Sequence, residues 1–141
     1  MTIKQLSVFI ENKTGRINEV TKILGKNGIN MTAFSLAENA DFGILRMIVS
    51  DVSKAMEVLR KAHFGVSVTD VVCLNCPNEP GALSTILDYL AKENIFIEYM
   101  YAFSQGDTAN VVIRPTNTEK CIEILSLNKC DLLSRNNLNQ K

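Results

Sequence analysis

Two short stretches carry the residue types best suited to holding a small charged molecule, Asn12-Lys13-Thr14-Gly15 and Asn78-Glu79-Pro80-Gly81. Each follows an apolar strand pattern and precedes an amphipathic helix pattern. A strand that ends in Asn and Gly just ahead of a helix leaves backbone N–H groups pointing out of the turn, where a carboxylate can be bound. Gly15 and Gly81 have no Cβ to keep a ligand away from the backbone. The carboxamides of Asn12 and Asn78 both donate and accept, which suits a zwitterion with its carboxylate and ammonium. Asn followed by Gly is also ordinary turn and capping chemistry. Duplication is what sets this pair apart.

Other reactive types are less well placed. Tyr99 and Tyr101 lie two apart on a strand and so share a face, where they either pack between sheets or line a pocket for a planar side chain. They favour an aromatic, imidazole or large apolar ligand side chain. Cys73-x-x-Cys76 suggests redox or zinc chemistry, yet residues three apart on a strand point to opposite faces, and Cys121 and Cys130 do not form a second close pair. Buried reduced thiols are the expectation for all four. His63, the single histidine, falls at the expected end of a helix, where a capping or cationic role suffices. Gly15 and Gly81 each stand alone, without a phosphate-loop pattern around them. No catalytic constellation emerges, and no cofactor is expected.

The elements that position these residues repeat. From Gly15 to Gly81 the offset is 66 residues, and the same offset pairs Leu24 with Leu90, Lys26 with Lys92, Ile29 with Ile95, Asp41 with Asp107, Lys54 with Lys120, Glu57 with Glu123 and Leu59 with Leu125. Two copies of one unit follow. In the first, Ile3 to Ile10 alternates as a strand with Leu6, Val8 and Ile10 on its apolar face. Ile17, Val20, Ile23 and Leu24 then mark one side of a helix ending near Gly25 to Gly28. Strands are expected at Ile29 to Ala37 and Phe42 to Val49, joined by Glu38-Asn39-Ala40-Asp41. A second helix carries Ala55, Met56, Leu59 and Ala62, with Gly65 as its stop, and Val66 and Val68 begin a fourth strand. The second copy gives strands at Val71 to Cys76, Ile95 to Phe103, Ala109 to Arg114 and Leu132 to Ser134, with helices after Gly81 and over Glu119 to Leu127. Strand, helix, strand, strand, helix, strand is the ferredoxin-like order. The fold class is therefore α+β, two βαββαβ units with antiparallel sheets and helices on one face. The boundaries read 1–69 and 70–134, with a mobile polar tail over 135–141.

With 141 residues, 46% hydrophobic and 21% charged, the chain has the composition of a soluble globular protein. Fifteen basic residues balance fifteen acidic ones, so nothing marks a nucleic-acid or anionic-membrane partner. With no signal-like or membrane-spanning run, a cytoplasmic location is expected.

With repeat, strand order and turn in hand, the chain resembles the ACT domain, and more closely the stand-alone tandem-ACT amino-acid-binding proteins of bacteria. The likeness rests on Phe9 to Ile17, Gly28-Ile29-Asn30-Met31, Asn78-Glu79-Pro80-Gly81-Ala82-Leu83, and Glu98 to Phe103, and spans about residues 1–134. It implies a free amino acid bound at the interface of two ACT units. Asn12, Gly15, Arg16 and Ile17 would form one binding turn, and Asn78, Pro80, Gly81, Ala82 and Leu83 the other. The opposing wall would be a second strand, here bearing Tyr99 and Tyr101. A further Asn that contacts ligand in serine-binding ACT domains matches Asn30, whereas the second unit has Phe96 there, so the two sites are unequal. The reading is a non-catalytic sensor, expected as a homodimer. Rival readings are a regulatory subunit docked on an amino-acid biosynthetic enzyme, and a thiol or metal sensor using Cys73 and Cys76.

Overall fold

The computed structural model describes residues 2–38 and 42–134, so the expected 38–41 turn (beyond Glu38) and the expected tail lie outside the described residues. The described residues divide into two compact units, 4–69 and 70–134, the latter taking in residues 2–3 as well. The first contains β1 (Ile3–Glu11), α1 (Arg16–Lys26), β2 (Met31–Glu38), β3 (Phe42–Val49) and α2 (Val52–Lys61). It ends in β4 (Gly65–Pro77), which continues without a break as the first strand of the second unit. There follow α3 (Ala82–Lys92), β5 (Ile97–Gln105), β6 (Thr108–Pro115), α4 (Thr118–Leu127) and the two-residue β7 (Asp131–Leu132). Strands run in the order β2-β3-β1-β4 in the first unit and β5-β6-β4-β7 in the second. Both are ferredoxin-like βαββαβ units with antiparallel ladders and helices on one face.

The alternation seen in the sequence builds each core. Leu6, Val8 and Ile10 of β1 and Leu45, Met47 and Val49 of β3 pack under Val20 and Leu24 of α1 and Ala55 and Leu59 of α2. In the second unit Val72, Leu74 and Cys76, with Val111 and Ile113, pack under Ile86, Leu90, Cys121, Ile124 and Leu125. Ile17, expected on the buried side of α1, is instead 38% exposed at its first turn.

The 66-residue repeat extends to backbone geometry. Asp51 and Asn117 each cap a helix by accepting from the backbone N–H three residues on, that of Lys54 and of Lys120, both at 3.0 Å. Gly15 and Gly81 each precede a helix in the left-handed region, at φ 90° and 84°. All four helices end alike, with a left-handed residue followed by one whose N–H reaches back five positions: Gly28 before Ile29, His63 before Phe64, Asn94 before Ile95, and Lys129 before Cys130. The second helix therefore ends ahead of the left-handed His63, and Gly65, expected to be its stop, opens β4 instead.

Candidate functional site

In the first unit the Asn12 turn opens onto a cavity of about 240 Å3, lined by Ile10, Glu11, Asn12, Lys13, Ile17, Leu36, Glu38 and Gly43. The strand ladders create this space. Gly43 pairs with Ile10 on one side and with Glu38 on the other, so a residue without a side chain sits between two lining strands. A Cβ added there would come within 3.3 Å of Leu36 Cδ1, 3.5 Å of the Ala37 carbonyl oxygen and 3.9 Å of Asn12 Oδ1. The missing side chain is what leaves room beside the Asn12 carboxamide. Leu36 pairs with Leu45 and so lies on the helix-covered face, yet it is 50% exposed because β2 is the outer strand.

The polar groups around this apolar floor are of both signs. Lys13 Nζ stands 3.5 Å from Glu11 Oε2, an exposed pair that holds neither partner firmly. Glu38 adds a second carboxylate at the rim. The cap position of α1 is Gly15, which has no side chain to cap it, and the partial positive charge of the helix start meets the turn beside the cavity. An apolar floor, a cation and helix amides, and carboxylates with an amide oxygen are together the complement of a small zwitterion with an apolar side chain.

Of the residues singled out in the sequence, Asn12 and Ile17 line this cavity, while Gly15, Arg16 and Asn30 are not part of its lining. The Arg16 guanidinium sits 4.6 Å over the Phe64 ring and pairs with Glu19 at 2.9 Å and Glu11 at 3.4 Å. Asn30 exchanges hydrogen bonds with Ser50: its N–H donates to Ser50 Oγ at 2.9 Å, and its carbonyl accepts from the Ser50 N–H at 3.0 Å. In the second unit Asn78, Pro80 and Gly81 are exposed, and the Asn78 N–H donates to the Asp107 carbonyl at 3.1 Å. Leu83 packs against the core there. Ala82 lines a different cavity of about 440 Å3, together with Asn75, Pro77, Glu79, Thr85, Ile86, Tyr89 and residues 128–131.

Tyr99 and Tyr101 do share a face, opposite Arg114 and Val112, but it is the face away from α3 and α4, since the core residues Val111 and Ile113 pair with Ala102 and Met100. They therefore do not join the Asn78 turn within their own unit. Ile10, Glu11, Lys13, Leu36, Glu38 and Gly43 were not expected as site residues. The one sequence signal for them was Gly43 inside an otherwise apolar strand, a mark of close approach or of open space.

The thiols are not brought together as Cys73-x-x-Cys76. Cys76 lies in the core beneath the helices, whereas Cys73, between Val72 and Leu74 on β4, faces the other way. Burial pushes the Cys73 thiol up to about 12 and the Cys121 thiol up to about 11. Among the described residues no group of three or more His, Cys, Asp or Glu side chains is arranged to hold a metal ion. Nor is any described helix long and apolar enough to cross a membrane.

The model of the ACT domain pair matches residues 1–141. The chain belongs to the ACT-domain-pair family. A crystal structure of a protein from Bacteroides thetaiotaomicron is 55% identical, with 100% of this chain and 98% of that one aligned at a TM-score of 0.95. The regulatory subunit of aspartate kinase from Thermus thermophilus shares the fold at 15% identity, with 88% and 91% of the two chains aligned and a TM-score of 0.66. Its counterpart from Thermus flavus does so at 14% identity, with 88% and 90% aligned and a TM-score of 0.62. Among functionally curated proteins none matches.

Proposed function

We propose that this ACT pair is a sensor of a free amino acid, and that the cavity at the Asn12 turn is where the ligand binds. The observation that carries this reading is the meeting, at one opening, of Lys13 and an uncapped helix start with Glu11, Glu38 and the apolar Ile10, Ile17 and Leu36. The ligand carboxylate would lie toward Lys13 and the first-turn amides, and its ammonium toward Glu38 and Asn12 Oδ1. Its side chain would lie on Ile10, Ile17 and Leu36. Among the described residues no aromatic side chain lines the cavity, so the reading narrows from aromatic, imidazole or large apolar amino acids to aliphatic ones. The protein of Bacteroides thetaiotaomicron, at 55% identity, supports the architecture. The aspartate kinase regulatory subunits supply a precedent for ACT-like folds serving as regulatory subunits.

The matched positions of the second unit explain a preference for the first. At the same offset Lys13 becomes Glu79, Ile10 becomes Cys76, Leu36 becomes Ala102, Glu38 becomes Ser104 and Gly43 becomes Ala109. The cation meant for the carboxylate is replaced by an anion, which repels it, and the floor loses its large apolar wall. One ligand per chain follows. Titration calorimetry with the twenty amino acids tests the proposal, which predicts heat from an aliphatic member and none after Lys13→Glu. Silence from all twenty would remove it.

A second reading concerns the reader of the bound state. Phe34 is 63% exposed and Leu36 50% exposed on β2, the outer strand of its unit. Exposed apolar residues on an outer strand suit pairing with another chain, and a second copy of this protein is the partner this reading favours. Because Leu36 also lines the cavity, pairing and ligand would be linked. Sedimentation velocity that shows a monomer at every concentration, with and without ligand, would exclude the homodimer in favour of an enzyme partner.

A further inference from the structure

The second unit contains a thiol pair that the C-x-x-C spacing conceals. The β4–β7 ladder aligns Leu74 with Leu132 and Asn75 with Asp131, and one step further the same register sets Cys76 opposite Cys130. The Leu133 N–H donates to the Cys73 carbonyl at 2.9 Å, so 73 and 133 form a hydrogen-bonded pair. Alternation along an antiparallel ladder then makes 76 and 130 a non-hydrogen-bonded pair. The Cys130 N–H agrees, since it donates to the Leu125 carbonyl at 2.9 Å rather than across to β4. In non-hydrogen-bonded pairs the Cα atoms lie about 4.5 Å apart and the side chains are closer than elsewhere on the ladder, within the roughly 4.4–6.8 Å that a disulfide spans. Both side chains lie on the helix-covered face, Cys76 in the core and Cys130 packed against it.

We infer that Cys76 and Cys130 form a reversible disulfide when the protein meets an oxidant such as a low-molecular-weight disulfide. Cys130 is the entry point, being part-exposed and lining the cavity beside α3, while Cys76 is almost fully buried. The Cys130 thiolate attacks one sulfur of the oxidant, whose S–S bond breaks so that the other sulfur leaves as a thiolate and a mixed disulfide remains on Cys130. The Cys76 thiolate then attacks the Cys130 sulfur and expels the second half of the oxidant. Two protein S–H bonds are lost and one S–S bond is made, the oxidant's S–S bond becomes two thiols, and the thiol protons end on the released halves. Burial, then the neighbouring Cys76, pushes the Cys130 thiol up, and burial, then Glu79, does the same to Cys76. The reaction is accordingly slow at neutral pH and accelerates as pH rises toward the thiol range. The bond would tie the short β7 to the strand that leads into the Asn78 turn.

The experiment is incubation of the folded full-length chain with oxidised glutathione at pH 7 and pH 9, followed by non-reducing peptide mapping and thermal unfolding. The expected result is one linkage, Cys76 to Cys130, formed faster at pH 9, with Cys73 and Cys121 still thiols. The linked form should unfold at a midpoint several degrees higher, an increase abolished by dithiothreitol and absent in Cys130→Ser. Four unmodified thiols, a glutathione adduct that stops at Cys130, or a Cys121 to Cys130 linkage would each overturn the inference.

Discussion

At the scale of single residues, the cavity at the Asn12 turn exists because Gly43 contributes nothing to it. A methyl group there meets Leu36 Cδ1 at 3.3 Å, a flexible side-chain end that can yield, so Gly43→Ala should fold. It should still weaken amino-acid binding about tenfold or more, by occupying the space beside Asn12. Calorimetry alongside a thermal melt separates loss of binding from loss of fold. Lys13→Glu copies the second unit's residue, and loss of a charge-assisted contact of about 1.5–3 kcal/mol together with repulsion by the new carboxylate predicts binding lost to calorimetry with stability unchanged. Of the cavity's lining, the sequence pointed to Asn12 and Ile17, because a turn motif is local. It did not show Leu36, Glu38 and Gly43, which become neighbours through the pairing of β2 and β1 with β3, and no spacing along the chain records a register. For the same reason Cys76 was read with Cys73 rather than with Cys130, its cross-strand neighbour.

At the scale of elements, the repeat fixes where backbone strain is placed. Gly15 and Gly81 hold left-handed φ values in open space, so an alanine there is opposed by backbone conformation alone. Gly15→Ala should cost about 1–2 kcal/mol, read as a lower midpoint in urea, and should also weaken binding by moving the first-turn amides of α1. Conversely, His63 and Lys129 occupy helix-ending positions that glycine prefers. His63→Gly should raise stability by about 0.5–1 kcal/mol, and no change or a loss would show that His63 makes contacts that offset its strain. The helix starts and most strands were legible because periodicity and capping are local. The stop of α2 was not, since a glycine rule points to Gly65 while a histidine closes the helix. There the N–H of Phe64 reaches the Leu59 carbonyl at 3.0 Å as its ring enters the core, and that pairing holds an L-residue left-handed.

At the scale of the whole molecule, two copies of one βαββαβ unit differ in the residues around their matched turns. The first unit keeps a cation, an apolar floor and an absent side chain around its turn, whereas the second has Glu79, Ala102 and Ala109 at the matched positions. On the proposed reading the second copy retains the helix start without the matching chemistry, which predicts a pair asymmetric in ligand although symmetric in fold. A regulatory role then requires only that the ligand favour one arrangement of the protein over another, by no more than its difference in affinity for the two. The most direct measurement is titration calorimetry of the full chain against each of the twenty amino acids. The account predicts saturable binding of an aliphatic amino acid at one site per chain, abolished by Lys13→Glu. Two equal sites, a ligand whose affinity ignores Lys13, or no heat from any of the twenty would contradict it.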